Sequence, residues 1–345
     1  MARIGLVIGM IMVLLLGIVP PKSQAQDSGA LRIVASTTIV ADVAQQVAGD
    51  AAVVESLIPV GLNPHTYEPG AQDIVRLSDA DLVLVVGAYY ESTLEAVLTE
   101  AAGSNLVTVS DCVPIRLFGD HPAESAETRS SLEEPCAQAI QAANAAFGAE
   151  IDPHADPYLG SLYELDCGDY TCDPHVWNDP YNVALWALSI RDTLTERDPA
   201  HADQYAANTE RYLAELAALD QDIQAAIEEI PVGQRFMITN HESMGYFAAR
   251  YGLTIVGVVI PGGSTTAEPS VQEVLGLIET VQDYAVPAIF TETAVSDDLA
   301  QQVADEAGAD IIQLYTESLS NPGEGADTYL DYMHYNATTI AEALK

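Results

Sequence analysis

Positive charge is what this sequence has least of. Its 345 residues include 12 Lys and Arg against 51 Asp and Glu, a formal net charge of −39 at pH 7. A nucleic-acid binder needs a basic face to neutralise phosphates, and this composition does not furnish one. The same shortage argues against adsorption to an anionic membrane surface. Cysteine is scarce as well, being confined to Cys112, Cys136, Cys167 and Cys172. No C-x-x-C pair occurs among them, which speaks against a four-thiolate zinc site. The H-E-x-x-H motif of zinc proteases is missing, because His241-Glu242 runs on into Ser-Met-Gly. Beyond residue 19 no apolar run is long enough to span a bilayer. What is plentiful is apolar residues, 49% of the chain, ample for packed cores and incompatible with wholesale disorder.

The one long apolar run, residues 4–19, follows Arg3 and ends in the polar stretch Ser23-Gln24-Ala25. Charged, apolar, then small is the order of a cleavable secretory signal, with the cut expected after Ala25. No cysteine lies near that cut, so the expected address is the periplasm without a lipid anchor and without membrane insertion. In an oxidising compartment four cysteines read as two disulfides. Nearest-neighbour pairing favours Cys112–Cys136 and Cys167–Cys172. An exported, strongly acidic chain attracts cations.

Continuous β-branched runs recur at 31–35, 53–58, 82–86 and 106–109, and again at 236–239, 255–260, 288–291 and 311–315. Amphipathic stretches separate them, at 39–47 in the first half and at 243–251, 270–284, 296–307 and 328–344 in the second. Apolar strands alternating with helices predict parallel sheets covered on both faces. The expected fold is α/β: two lobes with mostly parallel sheets, joined by one long rigid helix. That helix is expected at 201–230, which has no Gly or Pro and carries Tyr205, Tyr212, Leu213, Leu216, Leu219 and Ile223 on one stripe. The expected divisions are a signal at 1–25, a first lobe at 26–200, the linker helix, and a second lobe at 231–345. An acidic, cysteine-bearing insert at about 114–173 interrupts the first lobe and reads as a solvated surface excursion.

Four stretches carry chemistry. Asn63-Pro64-His65-Thr66-Tyr67-Glu68-Pro69 sets an imidazole in a stiff turn after a strand. Asp173-Pro174-His175-Val176-Trp177-Asn178-Asp179-Pro180 sets a second before a helix, and Thr239-Asn240-His241-Glu242 ends a strand in a third. Leu314-Tyr315-Thr316-Glu317-Ser318 ends a strand in a carboxylate. Ligands of open α/β sheets bind beyond the carboxyl ends of strands. Three imidazoles and one carboxylate suit a four-coordinate borderline dication, zinc best; manganese prefers more oxygen, and magnesium or calcium almost only oxygen. Glu292, also at a strand end, is the rival of Glu317 and otherwise a supporting residue. Glu68, Asn178, Asn240 and Glu242 are candidates to hydrogen-bond a ligand imidazole and fix its tautomer. Tyr67 and Trp177 read as shielding aromatics, His201 and His334 as surface residues.

NPHTYEP, DPHVWNDPYN, TNHESMGYFAARYGL, the AEPS at 267–270 and the closing LYTES resemble the metal-binding solute-binding proteins of bacterial ABC importers, the zinc/manganese cluster. The resemblance runs over the whole mature chain. It implies two α/β lobes on one long helix, a divalent ion as cargo, an ABC permease as partner, a monomer, and no enzymatic activity. It places the metal ligands on His65, His175, His241 and Glu317. His at the third position resembles the zinc branch; the manganese branch has Glu there. Two features depart from the pattern. Zinc members often carry a long His-rich loop, whereas the matching insert here has only His121 and His154. The fourth ligand is usually Asp, and Glu317 adds a methylene that bears on its denticity. Manganese or iron(II) is the alternative cargo, and a zinc-dependent hydrolase or metal-dependent adhesin the alternative class.

Overall fold

The computed structural model describes residues 30–118, 134–148, 159–161, 172–261 and 265–345. The expected signal and its cut, Cys167, His121, His154 and much of the acidic insert lie outside the described residues. In the first half β1 (Leu31–Ala35), α1 (Thr38–Ala48), β2 (Ala52–Ser56), α2 (Ala71–Asp79), β3 (Leu82–Val85), α3 (Glu95–Ala102) and β4 (Leu106–Thr108) alternate. They form a four-stranded parallel sheet in the order β2-β1-β3-β4, with Leu31 opposite Ala52 and Ile33 opposite Leu82.

The second half repeats the plan. It comprises β8 (Phe236–His241), α7 (Gly245–Tyr251), β9 (Thr254–Ile260), α8 (Val271–Asp283), β10 (Ala288–Glu292), α9 (Asp298–Ala307), β11 (Asp310–Leu314) and α10 (Tyr329–Leu344). Its sheet is again parallel, in the order β9-β8-β10-β11. Both sheets therefore run second-first-third-fourth. Each has a switch point between its first and third strands, where a crevice opens at the carboxyl ends. No sharp sequence repeat announced this; the likeness lies in the strand order.

Three further strands were not legible in the sequence. β5 (Pro114–Leu117), β6 (Leu159–Ser161) and β7 (Cys172–Asp173) make a small antiparallel sheet, and α4 (Glu134–Phe147) follows β5. The Cys112–Cys136 disulfide, with Cα atoms 5.1 Å apart, ties the start of β5 to α4. The small sheet matters because β7 delivers Asp173 and His175.

Between the two halves run α5 (Pro180–Arg197) and α6 (Ala202–Glu228). α5 starts on an Asp179 cap with Pro180 in its first turn. α6 has 27 residues, so it spans roughly 40 Å. Its stripe of Tyr205, Tyr212, Leu213, Leu216, Leu219 and Ile223 is buried, as are Thr209 and Ile227. The largest core cluster joins Ile33 and Leu84 of the first sheet to Trp186 and Leu216 of the helices and to Phe290 and Ile340 of the second half. The sheets are thus welded through α5, α6 and α10 into one compact unit, Leu31–Lys345. Among the described residues no helix is long and apolar enough to cross a membrane.

Candidate metal centre

Each of the four candidate donors is held by local chemistry. His65 sits in a short helical turn, Pro64–Thr66, whose cap Asn63 accepts the His65 N–H at 2.9 Å. The Asn63 amide also donates to Thr265 Oγ1 at 2.9 Å, tying this turn to the second half. His175 follows Pro174, and Asp173 Oδ1 accepts both its main-chain N–H, at 3.0 Å, and its ring Nδ1–H, at 2.8 Å. His241 is the last residue of β8 and is fully buried. Glu317 lies just past β11 on a segment clasped from the first half. Ser318 Oγ accepts from Gly61 N, and Thr38 Oγ1 from Leu319 N. Trp177 and Tyr332 both donate to Thr316 O.

The four side chains converge. One ligand atom from each of His65, His175, His241 and Glu317 lies within 4.8 Å of every other. His175 Nε2 and His241 Nε2 are 3.3 Å apart, and Glu317 Oε1 is 3.2 and 3.1 Å from them. His65 Nε2 is 3.6 Å from Glu317 Oε2. In a tetrahedral zinc site with bonds of roughly 2.0–2.1 Å, neighbouring donors lie about 3.3 Å apart. The three separations among His175 Nε2, His241 Nε2 and Glu317 Oε1 are edges of that size, and His65 Nε2 stands further out. His65 Nε2 is buried yet has no hydrogen-bond partner among the described residues. Buried polar atoms are normally satisfied, so this lone pair is free for a cation. His65 alone reaches solvent, with 12% of its side chain exposed, and stands at the mouth of the site.

Outer partners fix the rings. Asp173 holds His175, and Glu292 accepts the His241 Nδ1–H at 2.6 Å. In both rings Nε2 is thereby left facing the centre, the usual arrangement of a carboxylate behind a metal-binding imidazole. Glu292 lies behind His241 and not among the converging donors. Asn178 and Asn240 brace main chain instead, donating to Ser243 O and Ser296 O. Glu68 is exposed, and Glu242 lines a surface depression with Arg116, Phe118 and Asp173. Tyr67 donates to Asp73, whereas the buried Trp177 packs 5.4 Å from the His175 ring. His201 and His334 stand at the surface. Asp173 and Tyr90 are the residues that sequence reasoning missed. Asp173 was readable as an Asp-Pro-His turn; Tyr90, on the loop after β3, carried no local signal.

Charge explains the protonation of the ion-free cluster. Burial pushes His65 down to about 4, with Glu317 opposing. Burial also acts to lower His175, but Glu317 and Asp173 outweigh it and lift the ring to about 9. His241 is lifted to about 10, burial being overcome by Glu292 and Glu317. Burial would raise Glu317; the His175, His241 and His65 rings hold it well below the carboxylate range instead.

A family profile described as "Zinc-uptake complex component A periplasmic" matches residues 33–343. The chain belongs to this family. Its members are the metal-binding substrate-binding proteins of ABC importers. The chain is 29% identical to the manganese-binding lipoprotein MntA of Halalkalibacterium halodurans, over 93% of this chain and 90% of that one. It is 30% identical to the iron-binding protein YfeA of Yersinia pestis, over 93% of this chain and 88% of that one. In structure it superposes on the periplasmic zinc binding protein TroA of Treponema pallidum with a TM-score of 0.70 and 23% identity, covering 92% of this chain and 99% of that one. That last likeness speaks for the fold alone.

Proposed function

We propose that this chain captures one divalent metal ion, with zinc as its cargo, on His65, His175, His241 and Glu317, and hands it to an ABC permease. The observation that carries this reading is the meeting of three Nε2 atoms and one carboxylate from four distant stretches within 4.8 Å. Two donors come from each half, so the bound ion bridges the sheets. Three nitrogens to one oxygen favour zinc, because manganese prefers more oxygen. The second reading is manganese or iron(II), favoured by the names of MntA and YfeA. A hydrolytic zinc would need an open fourth position; Glu317 Oε1 fills the space between His175 and His241.

The welded core argues against wide clamshell opening, so release is assigned to the His65 turn, which forms the mouth. The periplasm is the expected place of action. The test is calorimetric titration of the metal-stripped chain, lacking residues 1–25, with zinc, manganese and iron(II). A single tight zinc site per chain is expected. His65→Ala is expected to weaken it by at least the roughly 10–100-fold that loss of an outer partner costs. Undiminished binding in His65→Ala would reject the ligand set; tighter manganese or iron binding would reject zinc as cargo.

A further inference from the structure

The loop between β3 and α3 has no role in the ligand set, yet it is built at some cost. Gly87, Ala88 and Tyr89 take φ values of +88°, +50° and +65°. Two of these are non-glycine residues in the left-handed region, a conformation that persists only when its surroundings enforce it. The enforcing group is Glu91, whose carboxylate is buried beneath the loop. It accepts from Ser36 Oγ at 2.7 Å, from Val86 N at 2.7 Å and from Gly87 N at 3.0 Å. The product of this arrangement is the position of Tyr90. Its side chain is buried, packed 5.2 Å from the His65 ring and 4.9 Å from Trp177. Its hydroxyl donates to Glu317 Oε2 at 2.5 Å.

The two oxygens of Glu317 therefore have different surroundings. Oε2 accepts the Tyr90 proton, while Oε1 faces the centre, 3.2 and 3.1 Å from His175 Nε2 and His241 Nε2. Resting on the metal-capture reading above, we propose that Tyr90 is a positioning residue that holds Glu317 to one-oxygen coordination. It would thereby keep the site four-coordinate and set its preference for zinc over manganese. The longer Glu side chain has the freedom to present both oxygens to an ion. A donor on Oε2 draws charge from that oxygen and opposes its swing inward. Manganese prefers more oxygen donors than zinc, so a second carboxylate oxygen would favour manganese.

The test is Tyr90→Phe, which removes the hydroxyl and keeps the ring. Cobalt(II) replaces the ion as a spectroscopic probe, because four-coordinate cobalt absorbs visible light far more strongly than five-coordinate cobalt. The unsubstituted chain is expected to show the intense four-coordinate bands. Tyr90→Phe is expected to weaken them and to narrow the zinc-to-manganese affinity ratio about tenfold or more, the scale of a hydrogen bond to a charged group. Unchanged bands and an unchanged ratio in a folded Tyr90→Phe chain would overturn the proposal while leaving metal capture standing. Failure of the unsubstituted chain to bind zinc would overturn both. If Tyr90→Phe does not fold, X-ray absorption of the zinc-loaded parent decides. Three nitrogens and one oxygen at roughly 2.0–2.2 Å support the proposal, and a fifth donor overturns it.

Discussion

At the scale of single residues, the site is a competition between protons and a metal ion for the same nitrogen lone pairs. Glu317, Asp173 and Glu292 raise His175 to about 9 and His241 to about 10 in the ion-free chain, whereas His65 falls to about 4. Ligation requires neutral imidazole, so binding must expel the protons of the two raised rings. At pH 7 binding is therefore expected to release protons from these rings. Calorimetry in buffers of different ionisation enthalpy counts them; a count near zero would contradict the charge arrangement. The sign for folding is opposite to that for binding. A histidine raised above its unfolded value of about 6.5 stabilises the ion-free fold fully below that pH. That contribution is lost as pH rises through about 9 and 10. Apparent zinc affinity rises over the same interval.

At the scale of elements, much of the plan was legible and the reasons are physical. The inner strands β3, β8 and β10 are buried almost throughout, and burial on two faces leaves a continuous apolar signature, whereas the edge strands β2, β4, β9 and β11 are only partly covered. α6 declared itself by length, by the absence of breakers and by a stripe that is buried throughout. The three histidines stood out because prolines or a strand end framed each one. The small sheet of β5, β6 and β7 was not legible. Its strands are short, lie far apart in the chain and sit in an acidic stretch without a clear period. Tyr90 was hidden for a related reason: its partner Glu317 is 227 positions away, and no local pattern encodes that pairing.

The packing of α7 against β7 gives a test at this scale. A Cβ on Gly245, at the start of α7, would lie 2.6 Å from Asp173 Oδ2. Gly245→Ala must therefore displace the carboxylate that orients His175. Zinc affinity is expected to fall by roughly 10–100-fold, as for other lost outer partners. Competition with a chelating dye measures it. Unchanged affinity would show that Asp173 does not orient the ring.

At the scale of the whole molecule, the two halves share one core, and the proposed ion would be a further bond between them. Trp186 and Leu216 belong to one buried cluster with residues of both sheets. Thermal unfolding of the ion-free chain is expected to be a single transition, with both tryptophans and far-ultraviolet dichroism changing together. Zinc at a hundred times its dissociation constant is expected to add about 2.7 kcal/mol. Two separated transitions would contradict the shared core. The acidic excess, a net charge of −39, adds a long-range attraction for cations that salt screens.

The most direct measurement is a crystal structure of the zinc-loaded chain, with anomalous scattering recorded across the zinc edge. One ion is expected, roughly 2.0–2.2 Å from His65 Nε2, His175 Nε2, His241 Nε2 and Glu317 Oε1. An ion found elsewhere, or none at saturating zinc, would contradict the assignment.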